Sequence, residues 1–217
     1  MKLYYFQGRY RGETIRLAFE LAGAAYEDIY LISHEQWVSL PLTYKQAPAL
    51  QLESGQVITQ SKAILGFIGR KFGLLPLDIE DAARVEELVE AAADVDTEIG
   101  KAFTTDQAKR DEVIKALPGV LDRWLSVWER IVKDKNVFVT DKHTLADAAI
   151  FRSLEDLIDL VPHALDSYPE LSRFRQVTAN LKAINDYMSS SRRNTMPKSA
   201  EDVSKLFALW LPVIRGP

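Results

Sequence analysis

There is no cysteine among the 217 residues of this sequence. That absence removes disulfides, thiolate metal sites and a cysteine nucleophile at once, so any thiol used here must arrive with a substrate. Histidine is nearly as scarce. His34, His143 and His163 stand far apart and form no i, i+4 pair, so a histidine-based zinc site is not expected and the chemistry should need no metal. Apolar stretches such as Ala63 to Ile68 and Phe207 to Val213 are far shorter than a bilayer span and contain Gly66 and Pro212, so no membrane segment is expected. The N-terminus opens directly into Lys2-Leu3-Tyr4-Tyr5-Phe6 without the successive regions of a signal peptide, which makes the cytoplasm the expected location. Clustered positive charge is missing too. With a net charge of −4 and Arg192-Arg193 as the only tight basic pair near the C-terminus, nothing provides the cationic footprint that nucleic acid requires.

What is present is an ordinary globular composition, 47% hydrophobic and 27% charged, in a chain long enough to bury a real core. The first part changes character about every ten residues. Lys2 to Phe6 reads as a strand, Arg9 to Glu13 as a loop, and Ile15, Phe19, Leu21 and Ala22 as a helix that stops at Gly23. Ala25 to Leu31 suits a second strand, Trp37 to Tyr44 an irregular stretch, and Ala49-Leu52 with Val57-Thr59 a hairpin around Ser54-Gly55. Ser61 is placed as the N-cap of a further helix, closed by Gly73.

Beyond a Pro76-containing connection, only helical stripes occur. One is Val85, Leu88, Val89, Ala92 and Val95, and another Val120, Leu121, Trp124, Val127, Trp128 and Ile131. Prolines at 118, 162, 169, 197 and 212 are expected to separate the helices. Thr144 to Asp147 has the spacing of a capping box, a structural signal that explains Asp147 without a catalytic role. The expected organisation is a small α/β domain over 1–75, a linker over 76–81 and an all-helical domain over 82–217.

A β-α-β, β-β, α order with Pro48 before the third strand is the thioredoxin-like pattern. Without cysteine it cannot be a disulfide oxidoreductase; it is a thiol-binding domain without a thiol. At this point the sequence resembles a known family. Tyr5-Phe6, Arg9, Arg11, Glu13, Trp37, Gln46-Ala47-Pro48, Gln60-Ser61-Lys-Ala-Ile64, Lys115-Ala-Leu-Pro-Gly119 and the Thr144 to Asp147 box together look like the cytosolic glutathione transferases that use a tyrosine, closest to the sigma, mu and pi classes. The resemblance spans essentially the whole chain. It implies a thioredoxin-like α/β domain followed by an all-α domain, glutathione as co-substrate and a homodimer.

It also assigns roles. Tyr5 would stabilise the glutathione thiolate, and lowering a thiol pKa by roughly two units requires about 2.7 kcal/mol of preferential stabilisation of the anion. A neutral phenol aimed at sulfur can supply much of that. Tyr4 should face the other side of the strand. Arg11 would further favour the anion. A cis Ala47-Pro48 bond would turn the backbone of Ala47 toward the cysteinyl group. Gln46 belongs to the same loop, while Gln60 and Ser61 at a helix start would hold the γ-glutamyl carboxylate. Trp37 would donate to the glycyl end, and Asp94 would reach the γ-glutamyl amine from the partner subunit, with Glu90 one turn earlier as a weaker candidate. The family's lysine shortly after the tryptophan is missing from Val38 to Thr43, and Lys45 is the candidate substitute. Tyr44 matches an aromatic that many relatives insert into the other subunit.

The second substrate is expected between the domains, against apolar walls formed by Phe6, Gly8, Tyr10, Phe103, Thr104, Phe207 and Trp210. A glutathione-dependent isomerase or peroxidase, including a prostaglandin isomerase, would share the first-domain site. A non-catalytic relative is the alternative from another class.

Overall fold

The computed structural model describes residues 1–42 and 44–216. Strand β1 (Lys2–Tyr5) leads through helix α1 (Tyr10–Leu21) to β2 (Glu27–Tyr30), helix α2 (His34–Ser39), the hairpin β3 (Ala49–Gln51) and β4 (Val57–Thr59), and helix α3 (Ser61–Phe72). The sheet order is β2-β1-β3-β4, with β1 parallel to β2 and antiparallel to β3. Alternation along β1 buries Leu3 and Tyr5 and turns Tyr4 to the other face, where its hydroxyl donates to Gln51 Oε1 at 3.0 Å. Ala49 pairs with Tyr4, so the strand that follows Pro48 is laid directly beside the end of β1.

Helix α2 runs into the stretch from Trp37 that was expected to be irregular. Ser33 and Gln36 form a capping box at its start: Gln36 N–H donates to the Ser33 hydroxyl at 3.3 Å, and Ser33 N–H donates back to Gln36 Oε1 at 3.2 Å. That Ser-x-x-Gln spacing was readable; a six-residue helix is too short to show an apolar period. A second correction concerns α3. Gln60, with φ +72°, occupies the N-cap position and Ser61 is the first helical residue, with no side chain capping the turn.

The helical part comprises α4 (Ile79–Gly100), α5 (Gln107–Ile131), α6 (Leu145–Leu160), α7 (Pro169–Ala179), α8 (Lys182–Met188) and α9 (Ala200–Arg215). Asp78 caps α4 through the N–H groups of Glu80 and Asp81, both at 3.0 Å, so 79–81, expected in the linker, form its first turn. Pro162, Pro169 and Pro197 fall between helices or at a first turn, whereas Pro118 and Pro212 lie inside α5 and α9. An interior proline costs roughly 3 kcal/mol of helix propensity, and packing carries α5 through it: Leu117, Leu121, Leu125 and Trp128 are buried on both sides. Val120 and Val127, assigned to the inner stripe, lie on the rim, about 40% exposed.

Helix α6 is the central post, buried from Leu145 to Leu157. Its start is tied by Asp147, which accepts from Thr144 N–H at 2.7 Å, Thr144 Oγ1 at 2.8 Å and Phe138 N–H at 3.0 Å. One apolar core runs without a break from Leu3, Ile15, Leu50 and Ile64 in the first part to Leu88, Ile150 and Leu154 in the second.

Candidate functional site

Tyr5 ends β1 and is almost wholly buried. The first turn of α1 rests on its ring: a Cβ added to Gly12 would sit 2.4 Å from Tyr5 Cδ1, so only glycine permits this approach. Burial pushes the Tyr5 phenol above its ordinary pKa, opposed by the Arg152 and Arg16 guanidinium groups and by the backbone N–H and charge of Arg11. The hydroxyl is therefore protonated at neutral pH and able to donate; of the three nearby cations, Arg152 and Arg16 are already paired with carboxylates.

Two adjoining cavities meet here. The larger, about 830 Å³, lies between the sheet domain and α4, α6 and α9 and is lined by Tyr5, Tyr10, Arg11, Thr14, Gln60, Ser61, Asp96, Arg152 and Trp210 among others. The smaller, about 250 Å³, gathers Phe6, Arg11, Trp37, Lys45, Gln46, Ala47, Pro48, Gln60, Ser61 and Ile214. Arg11, Gln60 and Ser61 border both. Residues that the sequence separates into α1, α2, the loop before β3 and the start of α3 thus surround one space.

Local structure explains how. The Ala47–Pro48 peptide is cis, and the loop is tied to the start of α3 by Gln60 Nε2, which donates to Gln46 Oε1 at 2.7 Å. Because no side chain caps α3, its first N–H groups remain available to an anion at the positive end of the helix dipole. Trp37 is buried and stacked on Phe6, centroids 5.8 Å apart. Helix α9 closes the far side: the Trp210 indole N–H donates to Gln7 O at 3.2 Å, and His34 Nδ1 lies 3.0 Å from Val213 O.

The residues expected around a second substrate divide. Tyr10 and Trp210 line the large cleft, Phe6 lines the small one, and Phe103 and Phe207 stand behind, packed on Tyr10 and Trp210 at 4.6 and 6.2 Å. Gly8 backs the Trp210 ring, where an added Cβ would sit 3.0 Å from Trp210 Cζ2. Thr104 accepts from Asp106 N–H at 3.3 Å in the turn before α5 and lines neither cavity. Asp94 is exposed on α4, outside both cavities. Glu90 pairs with Lys62, and Tyr44 is 64% exposed.

The cleft is more polar than its expected apolar walls, because Asp96, Thr97 and Arg152 form part of it. Arg152 is paired with Asp96 and, at 2.6 Å, with Asp156. Signals for these residues existed. Asp96 follows Ala92 by four on the inner face of α4, and Arg152 and Asp156 stand four apart inside an otherwise apolar run, the mark of a buried pair.

Comparison with known proteins places this geometry. Residues 1–70 match the family model described as the glutathione S-transferase N-terminal domain, and residues 93–191 match that of the C-terminal domain. Glutathione S-transferase alpha-4 of Rattus norvegicus is 27% identical over 203 residues, covering 90% of this chain and 91% of that one. The crystal structure of the glutathione S-transferase from Ascaris lumbricoides aligns with a TM-score of 0.78 at 28% identity, over 89% of this chain and 98% of that one. The fold of monomeric Na-GST-3 from Necator americanus also aligns, with a TM-score of 0.80 at 24% identity over 90% and 98% of the two chains. The mixed sheet with its cis proline, the helical domain stacked on it and the agreement of both halves with one family's models lead to one assignment: the chain belongs to the glutathione S-transferase family of enzymes.

Proposed function

We propose that this enzyme conjugates the thiolate of glutathione to hydrophobic electrophiles and that Tyr5 is the donor holding the sulfur. The observation that carries the reading is a protonated phenol opening on the large cleft, with Arg11, Gln60 and Ser61 shared by both cavities. Glutathione lies across the smaller one, its γ-glutamyl carboxylate at the uncapped start of α3, its cysteinyl backbone against Ala47 and its glycyl end near Trp37 and Lys45. Arg11 adds positive charge on the sulfur side. The electrophile enters the large cleft beside Tyr10 and Trp210, and holding both reactants in contact replaces an encounter in solution with a short-range attack.

The same reading makes the chain a cytoplasmic detoxification enzyme and a homodimer, in which Asp94 serves the glutathione of the partner subunit and Tyr44 anchors the contact. The exposure of both residues supports that arrangement. Sedimentation of the chain at micromolar concentration tests it, and a monomer that conjugates at full rate would remove both roles.

The thiolate absorbance of bound glutathione, followed against pH for the wild type and Tyr5→Phe, tests the mechanism. The expected result is a wild-type transition well below the free-thiol pKa of about 8.5 that moves up in the variant. An unshifted transition in both proteins would reject Tyr5 as the donor.

A further inference from the structure

Among the tyrosines, Tyr4, Tyr26, Tyr30, Tyr168 and Tyr187 all spend the hydroxyl on a protein partner. Tyr5 and Tyr10 line the cleft, and neither hydroxyl hydrogen-bonds to a side chain of a described residue or is sealed from solvent. Tyr10 is, moreover, held in a conformation that its side chain disfavours. It is the first residue of α1 with φ +38°, in the left-handed region where a Cβ is crowded and glycine is the natural occupant. Strain of this kind persists where the surrounding structure enforces it, and its usual location is a functional site.

Packing accounts for the ring alone. It meets Phe103 edge-on at 4.6 Å and Trp210 at 5.2 Å and 77°, contacts that a phenylalanine would make equally well. The hydroxyl is the part left without a use. Burial keeps this phenol protonated, raising its pKa far above the ordinary value, with Tyr5 and Asp156 adding to the effect and Arg110 and Arg152 opposing it. It is thus a neutral donor in a partly dry cleft that also holds the Tyr5 hydroxyl, where a fixed dipole acts more strongly than in water.

We propose that Tyr10 is a second phenolic donor of the site, one that binds the oxygen of an electrophile whose reaction at sulfur drives negative charge onto that oxygen, as in an α,β-unsaturated ketone. The inference rests on the transferase reading above. The glutathione thiolate forms a C–S bond to the β-carbon. The C=C pair shifts toward the carbonyl carbon and the C=O pair moves onto oxygen. Tyr10 O–H hydrogen-bonds to that enolate oxygen, and the α-carbon then takes a proton from water. Nothing is oxidised or reduced, and the proton released when glutathione ionised balances the one taken up.

The test compares an aryl enone with benzyl chloride, whose reaction places charge on chloride and none on oxygen, in the wild type and Tyr10→Phe. The thiolate absorbance of bound glutathione is followed in both proteins. The expected result is a fall of roughly 10²-fold in the ratio of enone to benzyl chloride turnover, the size typical of losing one such donor. Equal losses on both electrophiles, no loss on either, or a thiolate transition that moves with the substitution would overturn the role of Tyr10 alone. A wild type that ionises no glutathione and consumes neither electrophile would overturn the transferase reading and this inference with it.

Discussion

Arg9 Nη1 lies 3.2 Å from Asp156 Oδ1, and the two side chains are 6% and 1% exposed. The pair joins the mouth of α1 to α6. Arg9 also reaches Asp159 at 2.5 Å and donates through Nε to Asn194 O at 2.6 Å, while Asp156 shares Arg152 with Asp96 of α4. A strip of alternating charge therefore runs beneath the cleft from the sheet domain to the far helix, and each carboxylate in it has a cation within reach.

Breaking that strip on one side strands a buried charge. Asp156→Asn should destabilise the fold by about 3–5 kcal/mol, the usual loss when one partner of a buried pair is removed, and lower Tm accordingly. Urea unfolding checks it. A change below about 1 kcal/mol would mean that the strip is effectively solvated.

Gly12→Ala places a methyl 2.4 Å from Tyr5 Cδ1, so the ring must shift. The expected cost is roughly 1–3 kcal/mol from overpacking, together with an upward move of the thiolate transition, because the Tyr5 hydroxyl is displaced. Thermal melting and the absorbance titration on the same sample separate the two effects. Stability lost without any shift of the transition would free the Tyr5 position from its dependence on α1.

Asp147→Ala removes the acceptor for two buried N–H groups and one hydroxyl. With a penalty of about 1–3 kcal/mol for each buried donor left alone, the loss should approach that of a large core truncation. The turnover of protein that remains folded should be unchanged. A folded variant with lost turnover would give Asp147 the catalytic part that its capping geometry does not require.

The N-terminus of α9 should respond to acid. Asp202 accepts from Lys198 and Ser199 N–H at 3.0 and 3.1 Å, and these bonds hold its pKa below the usual carboxylate value, the Lys198 N–H contributing most. A carboxylate depressed in the folded state contributes stability above its unfolded pKa and loses that contribution as pH falls through the folded value. Amide exchange in the first turn of α9, relative to the rest of the helical domain, should therefore quicken as pH drops through and below about 4. Asp202→Asn should flatten that dependence. A profile identical in both proteins would assign the acid response to another group.

Much of this was legible because it is local. The strand at Lys2 to Phe6, the Gly55 turn, the Thr144 to Asp147 cap and the α4 stripe each depend on a few neighbouring residues, and the structure has all of them. The misreadings are also local in cause. Helix α2 was hidden because six residues carry a cap but no period. Pro118 and Pro212 were read as breaks because their propensity cost is visible in sequence while the packing that offsets it is not.

The amino-acid sequence by itself determined most of the elements and their order, the absence of any internal thiol and a set of residues whose joint spacing points to one family. Tertiary structure alone decided which of those residues share a space: that Trp37, Lys45, Gln46 and Ser61 border one cavity, that Asp94 and Thr104 border neither of the two, and that Asp96, Arg152 and a strained Tyr10 belong to the cleft. The physical reason is range. Capping, turns and periodicity act over a few residues, whereas a cavity is what remains between surfaces brought together by burial of a core that runs through both halves of the chain.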